Sequence, residues 1–174
     1  MYCACLKTGF KNKTMKKTHF ETDAVRTQTA RTQHKEHSTP LYLTSGFVFD
    51  DSEEMRASFA EEKQRNIYSR FTNPNTSEFV QKVTEMEGAE DGFATASGMA
   101  AVFTSMAAFL SAGDHILACK SVFGSTHQIL TQILPKWGIE TSYVEIHDDE
   151  ETWENKIQPN TKMIFVETPS NPTL

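Results

Sequence analysis

The sequence predicts an α/β domain: a mostly parallel sheet with helices on both faces. Three observations carry this. From about residue 60, short apolar runs alternate with stretches of helical period. The runs are continuous rather than in-out alternating, as expected of strands buried on both faces. Each is separated from the next by a helix-length crossover, which joins parallel neighbours.

Taken in order, "NTSEFVQKVTEMEG" (75–88) reads as a helix. Phe79, Val83 and Met86 share a face, Glu78 stands three past Asn75 as in a capping box, and Gly88 closes it. "DGFATA" (91–96) is a short apolar run, the expected first strand. "SGMAAVFTSMAAFLSAG" (97–113) is a second helix, apolar enough to be buried, stopped by Gly113. "HILAC" (115–119) is a strand, and "GSTHQILTQILPKWG" (124–138) a helix closed by Pro135 and Gly138. "IETSYVEI" (139–146) is strand-like. "DDEETWENKI" (148–157) is a helix with acids in its first turn, and "KMIFVET" (162–168) a further buried strand. Ahead of these, 20–60 is an irregular arm with one short helix at its end, free to pack on the domain or reach another subunit. Residues 1–19 form a basic tail expected to be disordered, and 61–174 the remaining domain.

Composition narrows the function. With 38% hydrophobic residues and a net charge of −6, the 174-residue chain is ordinary for a globular protein. The first 20 residues hold five lysines and no acid, leaving 12 basic against 23 acidic residues beyond them. That acidic body argues against nucleic acid, whose phosphates need a basic surface. No apolar run is long enough to span a bilayer, and no apolar region follows the leading lysines as a secretory signal requires. Met15 is an alternative start to Met1. Cys3, Cys5 and Cys119 make no disulfide framework, so a reducing, cytoplasmic setting is expected. His34, Glu36 and His37 in "HKEH" lack a second ligand pair, and no metal site is expected.

Sheets of this kind bind ligands in the loops after their strands. Ser97 and Gly98 open the second helix. Ser97 is a good N-cap, Gly98 permits close approach, and the free N–H groups suit a phosphate; the same pair also reads as a plain helix start. Neither P-loop nor dinucleotide glycine spacing occurs. In "SVFGST" (121–126), Phe123 offers a ring for a flat ligand, or equally a core phenylalanine beside a capped helix. "ETPSNP" (167–172) fixes the Glu167 carboxylate and the Asn171 amide in a proline-held turn. In "NIYSRFTNPN" (66–75), Tyr68 and Arg70 stand two apart on a loop.

"YSRFTNP", "ATASGMAA", "SVFGST" and "ETPSNP", in that order and spacing, resemble the Cys/Met-metabolism family of pyridoxal-phosphate enzymes from about residue 20 onward. The resemblance implies the large domain of the aspartate aminotransferase-like, fold type I, PLP-dependent transferases. It implies pyridoxal 5'-phosphate as cofactor and a homodimer that builds a tetramer. Tyr68 and Arg70 then cross the dimer interface to the neighbouring subunit's cofactor phosphate, a task suited to the guanidinium fork. Ser97, Gly98 and Met99 hold the phosphate in cis, Phe123 stacks on the ring, and Asn171 and Glu167 stand beside it.

Within the family, the likeness implies γ-replacement of O-succinylhomoserine, or O-acetylhomoserine, by sulfide to give homocysteine. Cystathionine γ-synthase or methionine γ-lyase chemistry, or a fragment that only associates, are the alternatives. Phe123 replaces the phenol many members carry there, which keeps stacking and favours the sulfhydrylase branch. Asn75 replaces the usual Thr, a minor turn change. No lysine has the family's Ser-x-x-Lys setting, so the cofactor-bearing lysine is expected beyond Leu174, no catalytic residue is expected here, and the chain alone should be inactive.

Overall fold

A computed structural model describes residues 19–26 and 31–170. The expected basic tail therefore lies almost wholly outside the described residues, as does Asn171. The described chain falls into two compact units that divide between residues 94 and 95.

The first unit carries α1 (Phe20–Arg26), α2 (Ser52–Phe59) and α3 (Pro74–Glu87). At seven residues, α1 is too short for its period to announce it. Asp51 caps α2, accepting from the Glu54 N–H at 2.7 Å. The start of α3 differs from expectation. Asn73, not Asn75, is its N-cap, accepting from the Asn75 N–H at 2.9 Å, with Pro74 as the first helical residue. Proline favours that position because its φ is already helical and its missing N–H would go unused. The helix ends as expected on Gly88, at φ 65°. Its anticipated apolar face is not buried: Phe79 is 48% and Met86 39% exposed, while Thr84 is covered.

The second unit contains α4 (Gly98–Phe109), β1 (His115–Cys119), α5 (Gly124–Gln128), β2 (Glu140–Val144), α6 (Glu150–Lys156) and β3 (Thr161–Phe165). Its three strands are all parallel in the order β2-β1-β3, so the central strand comes first in sequence. Every residue of β1 is buried. One sheet face is covered by α4 and the helical segment that begins with α5. There Val102, Met106 and Leu110, spaced four apart, meet Ile116, Ala118, Leu130 and Leu134. On the other face Leu117, Cys119 and Val144 pack with Trp153 of α6.

Four sequence expectations need correction. Residues 91–95 form no strand: no described strand lies beside them to complete a ladder, and Phe93 is 65% exposed. α4 stops at Phe109, with Leu110 extended and buried; Gly113, at φ 90°, belongs to the turn before β1. The expected long helix from 124 is α-helical only to Gln128, then a π turn (Ile129–Ile133) and a 3-10 turn (Leu134–Trp137). Pro135 cannot donate to an α-helical carbonyl, and the tighter turn takes its place. β3 is an edge strand rather than a fully buried one, with Ile164 51% exposed.

Candidate active site

Parallel pairing places the ends of β1 and β3 side by side, with Ala118 opposite Phe165. The loops that leave them therefore share one sheet edge. A hydrogen bond joins them: the Phe123 N–H donates to Oε2 of Glu167 at 2.8 Å. Phe123 precedes the first residue of α5 and has no side-chain cap of its own. Glu167 takes the N–H of that cap residue, as the glutamate of a capping box does, and sets a negative charge by the positive helix end. The Phe123 ring is 44% exposed, and among the described residues no aromatic ring packs on it. It is a plate with an open face, not a core residue.

α4 starts in the same unit and contacts α5. Ser97 caps it, its Oγ accepting from the Ala100 N–H at 3.1 Å, while its carbonyl accepts from the Ala101 N–H at 3.0 Å. Among the described residues the N–H groups of Gly98 and Met99 meet no acceptor, whereas those of Ala100 and Ala101 do. A side chain at Gly98 would meet nothing within 4 Å. Two free amides at the positive end of a 12-residue helix, with open space above the glycine, fit a phosphate. In the same unit, an exposed aromatic plate steadied by a carboxylate suits a flat ring.

Tyr68 and Arg70 belong to the first unit. Tyr68 is 41% exposed and bridges to Gly46 in an isolated antiparallel pair. The Arg70 guanidinium lies 5.2 Å from the Tyr68 ring centroid and 5.5 Å from that of Phe71. Among the described residues no carboxylate pairs with it. Its neighbours are engaged: Arg56 with Glu53 and Glu62, Arg65 and Lys63 with Glu54. An exposed guanidinium steadied by two rings and left unneutralised is ready for an external anion.

Other candidates are occupied elsewhere. Glu36 accepts from the N–H and hydroxyl of Thr32, and these bonds hold its carboxyl below the usual range. Among the described residues no group of three His, Cys, Asp or Glu is placed to hold a metal, and no helix is long and apolar enough to cross a membrane. Sequence reasoning missed Ser69 and Asn73, whose hydrogen bonds fix the Tyr68–Arg70 loop. Ser69 was legible only as the residue between two others, and Asn73 only as half of an Asn-Pro turn.

Fold and site together define an α/β enzyme domain in which one unit carries both a helix start with open amides and an exposed aromatic ring. The chain belongs to the Cys/Met metabolism PLP-dependent enzyme family, whose sequence pattern matches residues 21–174. Its members are pyridoxal-phosphate enzymes of sulfur amino-acid metabolism. The chain is 44% identical over 151 residues to an O-succinylhomoserine sulfhydrylase of Mycobacterium tuberculosis, covering 87% of this chain and 37% of that protein. It is 39% identical over 137 residues to an L-methionine gamma-lyase of Porphyromonas gingivalis, covering 79% and 34%. A solved Campylobacter jejuni structure, titled for O-acetylhomoserine (thiol)-lyase, superposes with a TM-score of 0.83 at 32% identity, covering 90% of this chain and 38% of that one. That structure holds N'-pyridoxyl-lysine-5'-monophosphate at its position 205. The chain thus spans less than two-fifths of the length of these relatives.

Proposed function

We propose that this chain is the phosphate-gripping, ring-facing part of an enzyme that replaces the acyl group of O-succinylhomoserine, or O-acetylhomoserine, with sulfide, giving homocysteine. The observation that carries this is the pair of unaccepted N–H groups at Gly98 and Met99 under open space, in the unit where Glu167 fixes Phe123.

Each residue has a task. Ser97 keeps the helix start rigid by capping it, so the next two amides point outward. Those of Gly98 and Met99 take the phosphate of pyridoxal 5'-phosphate. Phe123 covers one ring face and excludes water from it, and Glu167 holds that loop in place. Asn171, outside the described residues, is assigned to the ring's hydroxyl side. Tyr68 and Arg70 of a second copy close on the same phosphate, which makes a homodimer, itself half of a tetramer, the working form. When bound, the cofactor supplies an electron sink that eases proton loss from the substrate's α and β carbons.

Phe123 has no hydroxyl and cannot shuttle a proton. Lys120, at the end of β1, is paired with Glu145, and the Lys156 ammonium donates to the Tyr143 carbonyl. Neither is a free nucleophile at the site, and the chain alone is therefore assigned no turnover. A cytoplasmic setting agrees with the buried free thiol of Cys119.

The test is equilibrium dialysis of the 174-residue chain against pyridoxal 5'-phosphate and against pyridoxal. Preference for the phosphorylated form, lost in Arg70→Ala, supports the reading; equal affinity would sink it. In the same preparation, homocysteine released from O-succinylhomoserine and sulfide would refute the assignment of no turnover. The methionine γ-lyase relative keeps a second reading open, which α-ketobutyrate release by a protein of the relatives' full length would favour.

A further inference from the structure

The loop that presents Tyr68 and Arg70 is tied to the arm at 40–47 by a seam of hydrogen bonds that includes one buried amide. Asn73 is 8% exposed. Its Oδ1 caps α3, while its Nδ2 donates to the Tyr42 carbonyl at 3.1 Å and to the Ser69 hydroxyl at 2.9 Å. The Ser69 hydroxyl in turn donates to the Thr44 carbonyl, and the Ser69 N–H to the Ser45 carbonyl at 2.8 Å. The Phe47 N–H completes the seam on the Ile67 carbonyl at 3.1 Å. Ser69 therefore faces the arm, and the residues on either side of it are exposed.

We propose that Asn73 is a positioning residue for the Tyr68–Arg70 clamp: by joining the Tyr42 carbonyl to the Ser69 hydroxyl, it fixes the loop in the pose that presents the guanidinium to an anion. The inference rests on the reading above, in which Arg70 grips a phosphate. An arginine fork binds two oxygens only in a narrow range of orientations, so a loop free to swing loses much of its grip. A second amide, Asn75 of α3, also joins helix to arm, accepting from the Tyr42 N–H at 2.8 Å and donating to the Pro40 carbonyl at 2.7 Å, but both of its bonds go to the arm and neither to Ser69. The two ends of the Asn73 amide have separable duties. The oxygen serves the helix; the nitrogen serves the clamp.

That separation supplies the test. Asn73→Ser keeps an N-cap of similar quality but removes the Nδ2 donor. Ser69→Ala removes the hydroxyl at the other end of the bond and leaves the cap untouched. Each variant of the 174-residue chain is dialysed against pyridoxal 5'-phosphate and pyridoxal, and amide hydrogen exchange is followed at Phe47, at Ser69 and through α3. Both variants are expected to lower the phosphate preference about fivefold to tenfold, the size of one weakened charge-assisted contact. Exchange should quicken at Phe47 and Ser69 while α3 keeps its protection.

If both variants retain the parent's phosphate preference while Arg70→Ala loses it, the clamp stands and the positioning role is overturned. The role is equally overturned if the preference falls with exchange at Phe47 and Ser69 unchanged. If the parent shows no preference, or Arg70→Ala keeps it, the phosphate reading itself fails and takes this inference with it. Should Asn73→Ser not fold, Ser69→Ala decides alone.

Discussion

Oε2 of Glu167 lies 2.8 Å from the backbone nitrogen of Phe123, 44 residues away in sequence, and couples the loop after β3 to the loop after β1. The bond does for α5 what the glutamate of a capping box would do, taking the N–H of the cap residue. Glu167→Ala should leave the Phe123 N–H to water and lower stability by about 1 kcal/mol in urea denaturation. Glu167→Gln keeps an oxygen acceptor and should cost less than half as much. Equal losses would mean that the charge at the helix start, not the hydrogen bond, is what matters.

Ser97 allows a sharper comparison, because its hydroxyl both ends and rigidifies α4. Ser97→Ala removes the acceptor for the Ala100 N–H and should cost about 1 kcal/mol, read as a lower thermal midpoint. Ser97→Asp should restore the midpoint, since aspartate caps as well. It should at the same time weaken binding of pyridoxal 5'-phosphate, because a carboxylate beside the anion seat repels it. Stability and binding moving together across both variants would contradict an anion site here.

How much of this was legible beforehand follows from what each residue needs to be understood. Ser97 and β1 were readable because their signals are local: a capping type before an apolar stretch, and five residues that are all buried. The true cap of α3 was also local, but Pro74 was the stronger sign, and the Asn75–Glu78 spacing drew attention from it. Residues 91–96 carry a strand composition without a strand, because pairing depends on a neighbour that composition does not reveal. The partner of Glu167 was illegible, since nothing in "ETPSNP" names residue 123. The same holds for Asn73 and Tyr42, which are 31 residues apart with α2 between them. Within the site the residue types were readable, and the bonds that aim them were not.

The first unit has its own acid sensitivity. The Lys63 ammonium, then the Asp50 N–H, and after burial's opposing effect Arg65, draw the Glu54 carboxyl from an ordinary 4.5 down to about 2. A folded pKa below the unfolded one stabilises the fold above the unfolded value. The contribution is therefore complete above about pH 4.5 and is lost as pH falls toward about 2. Glu54→Gln cannot ionise, so its stability should be lower than the parent's near neutrality and fall less steeply through that window. Urea midpoints measured at successive pH values would show it; parallel curves would mean that the pairing adds nothing to folding.

Gly98 separates folding from binding most cleanly, because its role in the chain and its role in the site make opposite demands. Its backbone is not in the left-handed region, and an added methyl group would touch no protein atom within 4 Å. Alanine is also the better helix former, so Gly98→Ala should leave stability unchanged or raise it by about 0.5 kcal/mol. Side chains on a helix tilt toward its N-terminus, so a methyl group there would lean toward the end where the two amides lie. Pyridoxal 5'-phosphate should therefore bind at least about tenfold more weakly, the effect of holding an anion off its donors. Pyridoxal, with no phosphate to seat, should bind the variant and the parent alike. An alanine variant that is as stable as the parent and still prefers the phosphorylated form to the same degree would show that the start of α4 is only the start of a helix.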